Sequence, residues 1–230
     1  MNSLVRRGGS IGQQMLTTLL MCIFVGGTFF PLQVQSLDEK DRQFLIEGAK
    51  HQDADVRAGA FLSLGERGER QDLPHLYSAL YDADYSVRKI AETAIWKVWG
   101  RYGNDEIDAV FAEGLNQMSA GRFVLALKTF TGIIERVPDF TEAWNKRATL
   151  YYLLNRDNES MSDVHEVLRQ EPMHFGALTG YGLLKSRQGD YRVAIKYFEQ
   201  ALLVNPNMKD VAHNLEQLEK YRGRPRRGEI

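Results

Sequence analysis

Residues 175–208 read FGALTGYGLLKSRQGDYRVAIKYFEQALLVNPNM, and this stretch decides the fold. It holds two runs of apolar residues at helical spacing, separated by Gly189 and closed by Pro206. Apolar residues three and four positions apart lie on one face of a helix. Glycine permits the backbone conformation of a tight turn, and proline ends a helix. The stretch therefore predicts a helical hairpin.

The same hairpin pattern recurs upstream. Pro138 and Pro172 precede Pro206 at intervals of 34 residues. Small residues recur in the first helix at Gly114, Ala148 and Gly182 and in the second at Ala126, Ser160 and Ala194, and a large apolar residue follows at Phe130, Val164 and Phe198. Small side chains let two helices approach closely, and large ones fill the space between hairpins. Three hairpins in register therefore predict a stacked helical array.

A 34-residue period with these positions resembles the tetratricopeptide repeat. Trp144 stands at the family's usual tryptophan position. The resemblance implies three repeats within 106–208, at about 107–140, 141–174 and 175–208.

The second of these repeats departs most from the family pattern. The segment 155–158 replaces the glycine turn, and Arg147 occupies a normally apolar position. Two interpretations of Arg147 remain open. It is either paired internally, with Asp163 or Glu166, or it points into a functional pocket.

Two features follow the third repeat. Val211, Leu215 and Leu218 form an apolar stripe, which predicts a capping helix over 209–222. The basic segment 223–230 is predicted to be a disordered tail, and contact with anionic lipid or an acidic partner is the alternative.

A second repeat family covers 37–103. Asp53, Val56, Arg57 and Ala60 recur 31 positions later as Asp84, Val87, Arg88 and Ala91. This pattern resembles HEAT repeats, in which an Asp caps the second helix of each hairpin and a Val-Arg pair opens it. Gly65 and Gly68 are predicted to punctuate the hairpins.

The predicted fold class is an all-α solenoid in which two HEAT-like hairpins stack on three tetratricopeptide hairpins and a C-terminal capping helix. The last HEAT-like helix carries Trp96 and Trp99 beside a second apolar face. A helix that is apolar around most of its girth is buried on two sides. We therefore expect this helix to pack on the first tetratricopeptide hairpin near Ile107 and Val110. Flexible tethering is the alternative.

The segment 1–36 has the layout of a secretory signal peptide. Arg6 and Arg7 precede an apolar run over 15–30, Pro31 follows, and Ser36 lies near a plausible cleavage site. The layout predicts an exported protein, in the periplasm after cleavage. An uncleaved anchor in the inner membrane, facing the periplasm, is the alternative.

The composition favours no nucleic-acid partner and no catalytic chemistry. The formal net charge is −1, whereas phosphate binding needs a concentrated basic surface. The only cysteine is Cys22, which cleavage would remove. The histidines are scattered without ligand spacing, at His51, His75, His165, His174 and His213. We therefore predict no metal, no cofactor, no small-molecule substrate and no catalytic residue. HEAT-like repeats also occur in lyases, so an enzyme or enzyme subunit stays as a minor alternative.

The resemblance implies binding on a concave groove lined by the first helix of each tetratricopeptide hairpin. The residues it places there are Phe111, Leu115, Met118, Glu142, Asn145, Thr149, Tyr152, Thr179, Leu183 and Arg187. Such a mixed apolar and amide-bearing surface suits an extended or helical peptide. The predicted function is a non-catalytic scaffold or assembly factor that binds another protein or peptide, with a membrane-anchored docking protein as the alternative.

Overall fold

The computed structural model describes residues 37–222, which form α-helices, one short 3₁₀ turn and no strand. The first four helices are α1 (Glu39–Gly48), α2 (Ala54–Arg67), α3 (Leu73–Ala79) and α4 (Tyr85–Trp99). The next six form three hairpins: α5 (Asp105–Ser119) with α6 (Phe123–Arg136), α7 (Thr141–Leu153) with α8 (Asp157–Gln170), and α9 (Phe175–Arg187) with α10 (Tyr191–Val204). The last helix is α11 (Lys209–Glu219). The all-α solenoid predicted from the repeats is confirmed.

Small and large residues meet inside the three hairpins as the repeat pattern predicts. A Cβ built on Gly114 would lie 2.7 Å from the Phe130 ring, and one built on Gly182 would lie 2.5 Å from the Phe198 ring. Both phenylalanines are fully buried. The glycines therefore set how closely the two helices of a hairpin approach.

The turns inside the hairpins share one backbone conformation. Gly121, Asn155 and Gly189, which are spaced by 34 residues, have φ angles of 71°, 58° and 76°. Asparagine is among the few residues other than glycine that adopt this left-handed region readily. The irregular second repeat therefore keeps the family's turn despite its different sequence.

Aspartates begin the second helix of each HEAT-like hairpin, as predicted. Asp53 accepts the backbone N–H of Asp55, and Asp84 accepts those of Ser86 and Val87. These bonds satisfy N–H groups that the first helical turn leaves free.

The two glycines of the first HEAT-like hairpin have different roles. Gly68 caps the end of α2, as predicted. Gly65 lies inside α2, where an added Cβ would be 2.8 Å from the Cβ of Ala94. The prediction that Gly65 punctuates the hairpin is wrong, because this glycine serves the close contact of α2 with α4.

The HEAT-like helices pack on the loops between tetratricopeptide repeats. Their hydrophobic cluster includes Phe175, and Val204 and Met208 pack against it. Ile107 and Val110 belong to a separate cluster formed by the first hairpin. The expectation that α4 packs near Ile107 and Val110 is therefore wrong, since aromatic side chains alone do not specify which surface buries them.

Polar contacts join the HEAT-like segment to the first two of these loops. Arg70 donates to the Thr141 hydroxyl at 2.8 Å and to the Asp139 carbonyl at 3.4 Å. The Tyr77 hydroxyl lies 3.2 Å from the Glu171 carboxylate. Burial and the Glu171 charge raise the pKa of Tyr77, so this phenol stays protonated and donates. Each contact falls at the end of a repeat, where the chain crosses to the next hairpin.

The third loop takes the place of a further HEAT-like repeat. Within the HEAT-like segment, Arg57 makes two bonds of 2.7 Å to Asp82. Arg88, its equivalent 31 positions later, instead bonds the Asn207 side-chain oxygen at 2.9 Å. Asn207 in turn donates to the Leu80 carbonyl at 2.8 Å. A tetratricopeptide loop thus completes the arginine pattern of the HEAT-like repeats.

Helix α11 covers the end of the third hairpin. Val211 is buried with Phe198 and Ala201, and Leu215 and Leu218 pack against the same cluster. Arg222 pairs with Glu199 and Glu219. The predicted leader 1–36 and basic tail 223–230 lie outside the described residues. Within the described range, no helix has the length and apolar character needed to cross a membrane.

We predict that Asn207→Ala weakens the contact between the two repeat families. The change leaves the partly buried Arg88 and the Leu80 carbonyl without this partner, which costs about 1–3 kcal/mol of unfolding free energy. Asn158→Ala, at an exposed position of α8, is the matched control and should change it by less than about 0.5 kcal/mol. Urea unfolding curves measure both, and equal stability of the two variants would contradict the contact.

Candidate functional site

Arg147 is used inside the array. Its guanidinium makes two bonds to the Asp163 carboxylate, at 2.7 and 2.9 Å, and one of 3.2 Å to the Thr131 hydroxyl. Asp163 is buried. Of the two interpretations, internal pairing is confirmed, and Arg147 contributes to packing between the first and second hairpins.

Two of the predicted groove residues of the second repeat lie in a buried polar cluster. Glu142 is 1% exposed and accepts from Lys146 at 2.7 Å and from Asn145 at 3.0 Å. The His174 Nε2 atom lies 2.9 Å from the same carboxylate. Burial favours the neutral acid, but Lys146 and His174 outweigh it and lower the pKa of Glu142 to about 2. Glu142 and Asn145 therefore hold other side chains of the protein.

His174 also begins the third repeat. Its Nδ1 atom accepts the backbone N–H of Ala177 at 3.1 Å, which caps α9. An Nδ1 that accepts carries no proton, so Nε2–H is the donor to Glu142. The Trp99 indole stacks on the imidazole with ring centroids 3.8 Å apart. Sequence analysis treated His174 as one scattered histidine. Its signal was the 34-residue equivalence with Phe140 and Met208, which begin α7 and α11.

Trp96 lies against the beginning of the third repeat. Its ring contacts Phe175 edge-on, with centroids 5.2 Å apart, and the Lys146 ammonium lies 4.9 Å from its centroid. A Cβ built on Gly176 would be only 2.6 Å from the Trp96 ring. Gly176 is the 34-residue equivalent of Glu142, so a groove position without a side chain admits the indole.

Phe111, at the same repeat position as Asn145 and Thr179, lies in the core. It is 3% exposed and packs against Phe130 and Phe140, with centroids 5.5 and 4.8 Å apart. Its side chain therefore fills the space between the first and second hairpins and adds little to the surface.

The later turns of the first helices carry the more accessible groove residues. Leu115 is 36% exposed, while Met118, Thr149, Tyr152 and Leu183 are partly exposed. The exposed Arg187 places its guanidinium 3.6 Å from the Tyr152 ring centroid. It also bonds the Asp157 carboxylate at 2.8 Å. The structure thus brings Tyr152 and Arg187 together and leaves this half of the groove accessible.

A cleft of about 560 Å³ lies where α4, α9 and α11 meet. Trp96 and Tyr85 line it from the HEAT-like segment, Thr179 from the third repeat, and Met208 and Val211 from the capping region. The Thr179 hydroxyl is buried and has no hydrogen-bond partner among the described residues. Of the predicted groove residues, Thr179 is the one that reaches this cleft.

Potential metal ligands do not gather in groups of three or more anywhere within 37–222. The surfaces that the structure offers are therefore the accessible groove and the cleft, both lined by mixed apolar and polar side chains.

Family comparisons agree with these two segments. The HEAT-repeat model matches residues 34–96, and a tetratricopeptide-repeat model matches residues 175–208. A TPR repeat-containing protein of Rhizobium etli is 30% identical over 156 residues, which cover 67% of this chain and 76% of that protein. The chain belongs to the tetratricopeptide-repeat proteins and carries a HEAT-repeat segment.

Other similar proteins share only part of this arrangement. Tetratricopeptide repeat protein 37 of Xenopus laevis is 30% identical over 92 residues, which cover 39% of this chain and 6% of that protein. The first TPR of Spaghetti bound to an HSP90 peptide has a TM-score of 0.49 at 17% identity, covering 50% of this chain and 92% of that one. YrrB, a TPR protein with an unusual peptide-binding site, has a TM-score of 0.46 at 16% identity, covering 77% and 83%.

We predict that Gly176→Ala displaces Trp96 from the third repeat. The new methyl group overlaps the indole, and forced repacking of this kind costs about 1–3 kcal/mol. Gly180→Ala is the control one turn later in α9, where the nearest atom to an added Cβ is 3.9 Å away. It should stabilise the helix by up to about 1 kcal/mol. Hydrogen exchange should show faster amide exchange in α4 for Gly176→Ala alone, and unchanged exchange would refute the fit.

The ionised Glu142 should make the protein less stable in acid. Its pKa is about 2 in the folded protein and near 4.5 when it is solvated, so its contribution is complete above pH 4.5 and is lost as the pH falls to 2. The shift corresponds to a contribution on the order of 3 kcal/mol.

Glu142→Gln removes this titration. The gap in unfolding free energy between the native protein and the variant should be constant above pH 4.5 and shrink below it. Denaturant unfolding between pH 2 and 7 measures the gap. A gap that stays constant down to pH 2 would show that the carboxylate is not held in its charged form.

Proposed function

We propose that this protein is a non-catalytic scaffold or assembly factor that binds a segment of another polypeptide on the concave face of its tetratricopeptide array. The observation that carries the proposal is the accessible half of the groove, where Leu115, Tyr152 and Leu183 come from three successive first helices. Stacked repeats of this kind form extended concave surfaces that bind partners.

The side chains in this half of the groove support a peptide ligand. Tyrosine and arginine are the residue types that most often dominate binding energy at interfaces. Here the Arg187 guanidinium is held over Tyr152 and is also bonded to the Tyr152 carbonyl at 3.1 Å. The pair is therefore partly ordered before a ligand arrives, which lowers the entropy cost of binding.

The proposal includes export from the cytoplasm. It rests on the signal-peptide layout of residues 1–36, which predicts a mature periplasmic protein. N-terminal sequencing of the protein from its native cells tests this. A start near Leu37 is the expected result, and an intact Met1 would instead favour the membrane-anchored docking protein.

Selection from a phage-displayed library of random 12-residue peptides tests the binding function. We expect peptides that bind the native protein and lose at least about tenfold in affinity to Tyr152→Ala, because the variant removes an aromatic anchor. Val124→Ala is the control, since Val124 is 77% exposed on α6 and lies outside the groove. Fluorescence anisotropy measures the affinities, and circular dichroism confirms folding. Equal binding to both variants, or no enriched peptide, would refute groove binding.

A further inference from the structure

We infer that the cleft between α4, α9 and α11 is a composite pocket that receives an uncharged segment of the bound polypeptide, with an apolar side chain placed on Trp96. The inference rests on the proposed peptide-binding function. It adds a second contact region and the chemical class of the ligand, and it gives the HEAT-like segment a part in recognition.

The first repeat position that points to this pocket is occupied internally in repeats one and two. Asp108 accepts the backbone N–H groups of Tyr102 and Gly103, at 2.6 and 3.0 Å. Its equivalent Glu142 is bonded within the buried cluster with His174. Gly176, the third equivalent, has no side chain and lies at the cleft. At this position the chain leaves room only in the third repeat.

A second repeat position gives the same result. Phe111 fills the core, and Asn145 donates to Glu142. Thr179, their equivalent, lines the cleft with a buried hydroxyl that no described group bonds. A buried polar atom without a partner is costly, and a backbone N–H or C=O of a bound peptide would satisfy it.

The walls of the cleft favour apolar groups. Trp96, Phe175, Met208 and Val211 line it together with Tyr85. Its volume of about 560 Å³ lies within the range of pockets that enclose ligands. Aromatic and methionine side chains are typical of surfaces that bind a partner's apolar residue.

The charged groups of the cleft balance one another. Its charged lining residues are Lys89, Glu92, Lys209 and Asp210, whose formal charges sum to zero. Lys89 already pairs with Glu92 at 2.9 Å. Asp210 lies in the first turn of α11, where a carboxylate offsets the positive end of the helix dipole. A charged segment would lose hydration here without a net opposite charge, so the pocket favours an uncharged one.

Three parts of the chain build this pocket together. α4 brings the indole of Trp96, α9 brings Thr179, and the segment around Met208 closes the far side. The contacts of Asn207 with Arg88 and Leu80 hold that segment against the HEAT-like helices. Neither repeat family alone carries the complete set of walls.

Two variants test the pocket with peptides selected from the random 12-residue library on the native protein. Thr179→Val keeps the shape of the side chain and removes the unpaired hydroxyl. We expect affinity to fall about three- to tenfold while the melting temperature stays equal or rises, because a buried unpaired polar atom is removed. Affinity and stability thus change in opposite directions, which a purely structural role for Thr179 does not produce.

Glu92→Lys tests the ligand class. It makes the formal charge of the lining +2, so a new selection on this variant should enrich peptides containing Asp or Glu. Glu216→Lys makes the same charge change at an exposed position of α11 outside the cleft, and selection on it should match the native protein.

The outcomes separate this pocket from the proposed groove function. If Tyr152→Ala weakens binding while Thr179→Val and Glu92→Lys have no effect, the groove stands and the composite pocket is wrong. Native-protein selection of uniformly acidic or basic peptides would overturn the uncharged class. If no peptide is enriched on the native protein, both proposals fail.

Discussion

The stacking of Trp99 on His174 is the interaction on which the arrangement of the two repeat segments depends. The indole comes from the last HEAT-like helix, and the imidazole caps the first helix of the third tetratricopeptide repeat. One ring nitrogen of His174 accepts from the Ala177 backbone and the other donates to Glu142, so the ring is held in one plane. A capping residue of one repeat family thereby becomes the docking surface of the other.

This docking turns an ordinary repeat groove into a divided surface. Its first part is filled by the protein's own groups, which are the linker at Asp108, the cluster around Glu142 and the indole of Trp96. The later turns of the first helices stay accessible, and a cleft remains beside the third repeat. The HEAT-like segment therefore determines which parts of the concave face a partner can reach.

The contacts within each repeat family could be predicted from the sequence, because a repeat period reports neighbours that recur. Gly182 against Phe198 and the Asp84 cap are such contacts. The contact between the families occurs once, so no period reports it. Trp96 and Gly176 are ordinary residues of their own repeats until the fold brings them together. The groove register could likewise be predicted, but the burial of Glu142 and Asn145 follows from docking and could not.

Photo-crosslinking from position 81 tests the central claim, that the HEAT-like segment docks on the tetratricopeptide loops. Tyr81 is 57% exposed, and its hydroxyl bonds the Leu203 carbonyl. Replacing Tyr81 with p-benzoylphenylalanine keeps an aromatic side chain and adds a photoreactive group. Irradiation and peptide mass spectrometry should show an intramolecular crosslink to residues 203–208. A crosslink to residues 107–110, or none within the chain, would contradict the docking described here.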